Sequence, residues 1–118
     1  MIMSWGQKNK YRNKKTIIDG NSFASVKEAT RYCELKQLER AGIIKDLRLQ
    51  PRYILQEKYE INGRKERAIT YIADFEYYDN EKQKIIVEDV KSPATKTQVY
   101  RIKKKLFEKR YNTEVTEI

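Results

Sequence analysis

A chain of 118 residues with 39% hydrophobic and 11% aromatic content can build one core but hardly two, and it is too apolar to be disordered throughout despite 36% charged residues. Lysine and arginine number 26 against 17 aspartates and glutamates, and the resulting +9 favours an anionic partner, nucleic acid foremost, although a merely soluble basic surface carries the same signature. Histidine is absent and Cys33 is the lone cysteine, which excludes imidazole-based hydrolysis, HNH-type nuclease chemistry, ordinary zinc fingers and any intramolecular disulfide.

Residues 1–15 read as a basic arm, with Lys8, Lys10, Arg12, Lys14 and Lys15 interleaved with Trp5 and Tyr11. Lys14 and Lys15 are candidate DNA contacts there; a solvated tail is the competing reading. Residues 16–118 read as a single domain. Thr16-Ile17-Ile18 and Ser22-Phe23, joined by Asp19-Gly20-Asn21, predict a hairpin. A helix follows, opened by Ser25 with Glu28 three residues later as a capping box and stopped by Gly42. Val26, Ala29, Tyr32, Cys33, Leu35 and Leu38 supply its apolar positions, so Cys33 is expected to be a buried packing residue.

Ile43 to Leu49 predicts a strand, Pro51 interrupts it, and Tyr53-Ile54-Leu55 continues along an edge. Asn62-Gly63 is a turn. Ile69, Tyr71, Ala73, Phe75 and Tyr77 alternate onto one face of the next strand, with Thr70, Ile72, Asp74 and Glu76 on the other. A further strand covers about residues 84–91, closed by Ser92-Pro93. A basic helix spans about residues 97–111, with Val99, Ile102 and Leu106 expected on its apolar side and Arg101, Lys104 and Lys105 on another. Residues 114–118 form a last short strand. No transmembrane run or leader is legible, so the expectation is a cytoplasmic protein without membrane contact.

Chemistry concentrates in Asp74 and in Asp89-Val90-Lys91. Strand alternation places Asp89 and Lys91 on one face and Glu88 on the other, unless a bulge exchanges Glu88 for Asp89. Two carboxylates offer hard oxygen ligands to Mg²⁺, for which Mn²⁺ can substitute. A neighbouring lysine can orient water and offset charge on a phosphorane. Read as structure alone, Asp89 and Lys91 are an exposed strand end and Asp74 a solvated hairpin residue; the bare D-x-K pattern is degenerate.

The order of elements resembles the PD-(D/E)XK nuclease superfamily: helix, three-stranded antiparallel meander, helix, strand. More closely, the chain resembles small phage and prophage proteins of formerly unknown function related to Holliday-junction-type resolvases. The matching stretches are Tyr11-Arg12-Asn13-Lys14, Phe23-x-Ser25-x-x-Glu28-Ala29, Gly42-x-Ile44-x-x-Leu47-x-x-Gln50-Pro51, Tyr71-x-Ala73-Asp74-Phe75 and Glu88-Asp89-Val90-Lys91, over about residues 11–111. Ala73 stands where the superfamily name has proline.

The resemblance implies an α/β, restriction-endonuclease-like fold: a mixed central sheet flanked by two helices, here with an N-terminal hairpin. It implies a Mg²⁺-dependent DNA endonuclease acting on branched or structured DNA in phage replication or recombination, inside a bacterial host. A homodimer follows from two symmetric cuts. Asp74, Asp89 and Lys91 would be catalytic, with Asp74 and Asp89 binding metal. Glu28 would join them as a metal ligand, in rivalry with its capping role. Thr95, Lys96 and Gln98 are further candidate phosphate contacts at the start of the second helix, with ordinary capping by Thr95 or Thr97 the favoured competing reading; the charge run Lys103, Lys104 and Lys105 would grip the DNA backbone near an active site and is otherwise a solvated face. The alternatives are a non-catalytic DNA-binding protein on the same fold and a general nicking or restriction-like nuclease.

Overall fold

The computed structural model describes residues 15–118, so of the basic arm only Lys15, which is exposed, can be placed; Lys14 lies outside the described residues. Strands β1 (Thr16–Ile18) and β2 (Asn21–Phe23) form the expected antiparallel hairpin. Asp19 and Gly20 both take positive φ (54° and 78°), as a tight two-residue turn between right-twisted strands requires.

Helix α1 (Val26–Arg40) starts where Ser25 Oγ accepts the Glu28 N–H at 3.1 Å. It buries Glu28, Ala29, Tyr32 and Leu35. Cys33 is exposed, and so is Val26, contrary to expectation. Cys33 follows Tyr32 by one position, a rotation of about 100° that carries it off the buried stripe.

Beyond Gly42 the chain builds a long, bent antiparallel ribbon. One arm is β3 (Ile44–Leu49) and β4 (Arg52–Gln56); the other is β7 (Ile69–Ile72) and β8 (Phe75–Asp79). Both arms break at the same level, Gln50-Pro51 opposite Ala73-Asp74. Hydrogen bonds still cross the break, from Gln50 N to Asp74 O (2.9 Å) and from Ala73 N to Pro51 O (3.2 Å). At the ribbon's tip, β5 (Tyr59–Ile61) and β6 (Arg64–Glu66) form a largely exposed hairpin about Asn62-Gly63, where the sequence indicated only the turn.

Strand β9 (Lys84–Asp89) pairs antiparallel with β8, and β10 (Val115–Glu117) pairs parallel with β9, giving a mixed four-stranded sheet ordered β10-β9-β8-β3. Helix α2 (Gln98–Tyr111) is capped by Thr97 Oγ on the Tyr100 N–H at 3.1 Å. The fold is therefore α/β, with two α-helices on a mixed sheet among the described residues. Among the described residues no helix is long and apolar enough to cross a membrane.

Two core clusters line the sheet. Phe75, Tyr77 and Ile86 pack with Tyr32 and Leu35 of α1; Tyr71, Ala73, Val87 and Val115 pack with Tyr100 and Phe107 of α2. The single apolar face read from Ile69 to Tyr77 is thus divided. The odd-numbered residues meet α2 before Asp74 and α1 after it, because the break at Ala73-Asp74 resets the alternation. Ile69 itself is exposed. Helix α2 also differs from expectation: Val99, Ile102 and Leu106 are exposed, and Tyr100 and Phe107 are its buried residues. Two aromatic rings bury more area than the aliphatic stripe would, and they set the helix's rotation.

Candidate active site

The break in the ribbon positions Asp74. Its N–H donates to Glu88 O (3.1 Å), which registers it against the end of β9, and its Oδ2 accepts the Val90 N–H at 2.7 Å. Its carboxyl meets that of Asp89 within hydrogen-bonding reach. Asp89, 3% exposed, accepts the Tyr71 hydroxyl at Oδ2 and has Lys91 Nζ 3.5 Å from Oδ1. Lys91 Nζ also lies 4.2 Å from the Tyr100 ring centre, a cation–π contact that fixes the ammonium. The Lys91 backbone is held too: its N–H donates to Ile118 O (3.2 Å) and its carbonyl accepts from Lys27 Nζ (3.0 Å).

Glu28 completes the acidic group from α1. It is buried, and that burial, then the charge of Asp89, raises its pKa; the Ala24 amide and Lys91 pull the other way. The cap of α1 is made by the Ser25 hydroxyl, while the Glu28 carboxylate has the Ala24 amide as its backbone partner. Asp74 is pushed up to about 8, by burial first and then by its hydrogen bond to Asp89 and the charges of Asp89 and Glu28, against the Val90 amide. A site with this much negative charge and little compensation holds a proton or calls for a cation.

Glu88 occupies the opposite face of β9. Arg31 binds it in bidentate fashion, Nε to Oε1 at 2.8 Å and a terminal nitrogen to Oε2 at 2.6 Å, and the Tyr77 hydroxyl donates to Oε2. Asp89, not Glu88, therefore faces Asp74.

The acids lie between two cavities. One of about 220 Å³ contains Glu28, Asp74, Gln50, Asn21 and Ser22. The other, about 310 Å³, contains Asp89, Lys91, Thr70, Thr97 and Lys103. The carboxylates fit a divalent ion by donor chemistry, since Mg²⁺ is commonly held by one or two carboxylates with water and phosphate completing its shell. Among the described residues no group of three or more His, Cys, Asp or Glu side chains is placed to hold a metal ion by itself.

The proposed phosphate contacts fare unevenly. Lys96 and Lys104 are engaged by Glu117, at 3.0 and 3.3 Å. Glu117 is lowered to about 2 by the Tyr100 hydroxyl first and then by Lys96 and Lys104. Gln98 and Lys105 are exposed, and Lys105 lines a different cavity. Thr95 bonds Ser92 within the 3₁₀ turn Pro93–Thr95, and Thr97 caps α2, so both serve as caps. The sequence reading missed Tyr71, Tyr100 and Lys27, and it named Lys103 only as one of three lysines in a charge run. Tyr100 and Lys103, three apart on one helix, carried the helical spacing that could have grouped them.

No curated protein and no solved structure gives a significant match to the chain. One family profile does match, over residues 8–117, nearly the whole sequence. The chain belongs to the family described as "Protein of unknown function (DUF1064)".

Proposed function

We propose that this protein is a metal-dependent DNA endonuclease built on a PD-(D/E)XK, restriction-endonuclease-like fold. The order helix, antiparallel meander, helix, parallel strand supports that fold. The single observation that carries the activity is the meeting of the Asp74 and Asp89 carboxyls beside Glu28, with Lys91 as the adjacent ammonium.

Asp74, Asp89 and Glu28 would hold Mg²⁺ or Mn²⁺, which when bound polarises a phosphate and acidifies water. Val90 N–H fixes one oxygen of Asp74 and Tyr71 one oxygen of Asp89, whose second oxygen has Lys91 3.5 Å away. Lys91, steadied between Asp89 and the Tyr100 ring, points a charge at the acid pair. There it can orient a water and oppose the negative charge that builds on a phosphorane. The +9 net charge favours a polyanionic substrate.

The test is nicking of supercoiled DNA and incision of a four-way junction with Mg²⁺, comparing the wild-type chain with Asp74→Ala and Lys91→Ala. Wild-type cleavage lost in both variants is expected. Equal cleavage by all three chains, or binding without cleavage, would remove the assignment and leave a DNA-binding protein. Competition between junction and linear duplex separates a branched-DNA enzyme from a general nicking one. Paired symmetric cuts would require a homodimer.

A further inference from the structure

We propose that the cavity beside Asp89 is a seat for a nucleic-acid backbone phosphate, with Lys103 as its principal cation. The identity of the neighbouring phosphate as the scissile one rests on the nuclease reading; the seat itself does not.

Three consecutive lysines on α2 have three different fates. Lys104 is tied to Glu117 at 3.3 Å, and Lys105 is exposed beside a cavity that does not include Asp89. Lys103 is half-buried, lines the cavity of Asp89 and Lys91, and has no carboxylate partner among the described residues. A partly buried ammonium without a counter-anion favours an anionic ligand.

Two hydroxyls border the same space. Thr97 Oγ accepts the Tyr100 N–H at 3.1 Å, and Thr70 Oγ accepts from Arg52 at 3.4 Å. Each acts as an acceptor in these bonds and retains its hydroxyl hydrogen to donate. An ammonium with two hydroxyl donors suits a tetrahedral oxyanion. The exposed side chains of Ile72 and Val99 form an apolar border, which suits the sugar of a phosphodiester better than a free anion.

The opposite cavity makes the assignment directional. Among the described residues it contains Glu28 and Asp74 and no lysine or arginine, so these residues repel phosphate and admit cations and water. The strand would therefore approach across α2 and present its phosphate to Asp89 and Lys91 from that side.

The experiment measures affinity of the full chain for a fluorescent duplex across a salt series, with Ca²⁺ in place of Mg²⁺. It compares Lys103→Gln, Lys105→Gln and Lys103→Arg. Lys103→Gln is expected to weaken binding about tenfold at low salt and reduce the salt slope by about one, with Lys105→Gln changing affinity under about twofold. Lys103→Arg keeps the charge and should retain most of the affinity, which separates phosphate binding from loss of folding. Equal effects of the two glutamine variants, or no effect of either, overturn the proposal. Mg²⁺ cleavage measured in parallel separates the two ideas. A wild-type chain that does not cut but shows the Lys103 difference supports the phosphate seat and refutes the nuclease. A chain that cuts without that difference refutes only the seat.

Discussion

Glu88 and Asp89 are neighbours on one strand and equally buried, yet their surroundings are opposite. Toward α1, Glu88 is closed off by two hydrogen bonds from Arg31 and one from Tyr77. Toward α2, Asp89 meets a second carboxyl, a hydroxyl, and a lysine no nearer than 3.5 Å. Burial of an acid is therefore no sign of function in itself. What distinguishes the two faces is whether the buried charge is neutralised within the protein or left for something to arrive.

The strongest way to break that contrast is to neutralise one acid on each face. Asp74→Asn should cost about a thousandfold or more in cleavage, since it removes a metal ligand. It should also raise the melting temperature at neutral to alkaline pH, because it deletes a carboxyl that the folded state prefers protonated. Glu88→Gln should do the reverse. It removes the buried anion opposite Arg31 and should cost about 2–3 kcal/mol, at or below the lower end for a broken buried pair because Arg31 keeps Glu34 at 3.0 Å and still reaches solvent. Urea unfolding of both variants checks this. If Asp74→Asn proves the more destabilising, the acid pair is a structural device and the contrast is false.

The second comparison is in pH. Asp74 has its folded-state pKa raised to about 8, above an unfolded value of about 4. The folded state thus binds the extra proton, and the metal-free protein gains stability that is full below about pH 4 and is lost as pH rises through about 8. Melting temperature should therefore fall over this window in the wild type and fall less in Asp74→Asn. Mg²⁺ competes with the proton, so its stabilisation should be larger at about pH 9 than at about pH 6. A metal effect independent of pH would detach the ion from Asp74.

Much of this contrast was legible before any coordinates. Asp19-Gly20 and Asn62-Gly63 marked their turns, Ser25 its helix cap, and the D-x-K spacing set Asp89 apart from Glu88, all through local backbone geometry. Other features depend on contacts remote in the chain. Arg31 and Glu88 lie 57 positions apart, so nothing local reveals that Glu88 is neutralised. The break at Ala73-Asp74 leaves the apolar alternation intact in sequence while reversing which helix it meets. In α2, apolar residues occupy two sides, and only the fit of Tyr100 and Phe107 into the core decides which side is buried. That rotation also separates Lys103 from Lys104 and Lys105, three residues that a charge run makes look alike.

The finest comparison is between two tyrosines in matching roles. Tyr77 donates to Glu88 and Tyr71 donates to Asp89, each from a buried ring. Phenylalanine at either position keeps the ring and deletes one hydrogen bond to a carboxyl, so each variant should lose about 1–2 kcal/mol of stability. Their effects on activity should diverge. Glu88 retains both Arg31 bonds, and Tyr77→Phe should cleave at close to the wild-type rate. Asp89 loses the hydroxyl that fixes Oδ2, so Tyr71→Phe should require more Mg²⁺ for half-maximal cleavage and slow the reaction by about tenfold. Mg²⁺ titration of cleavage by the two variants at equal folded fraction makes the measurement. Matching losses in both would mean that Tyr71 supports the core alone, and that Asp89 is positioned by its strand without help.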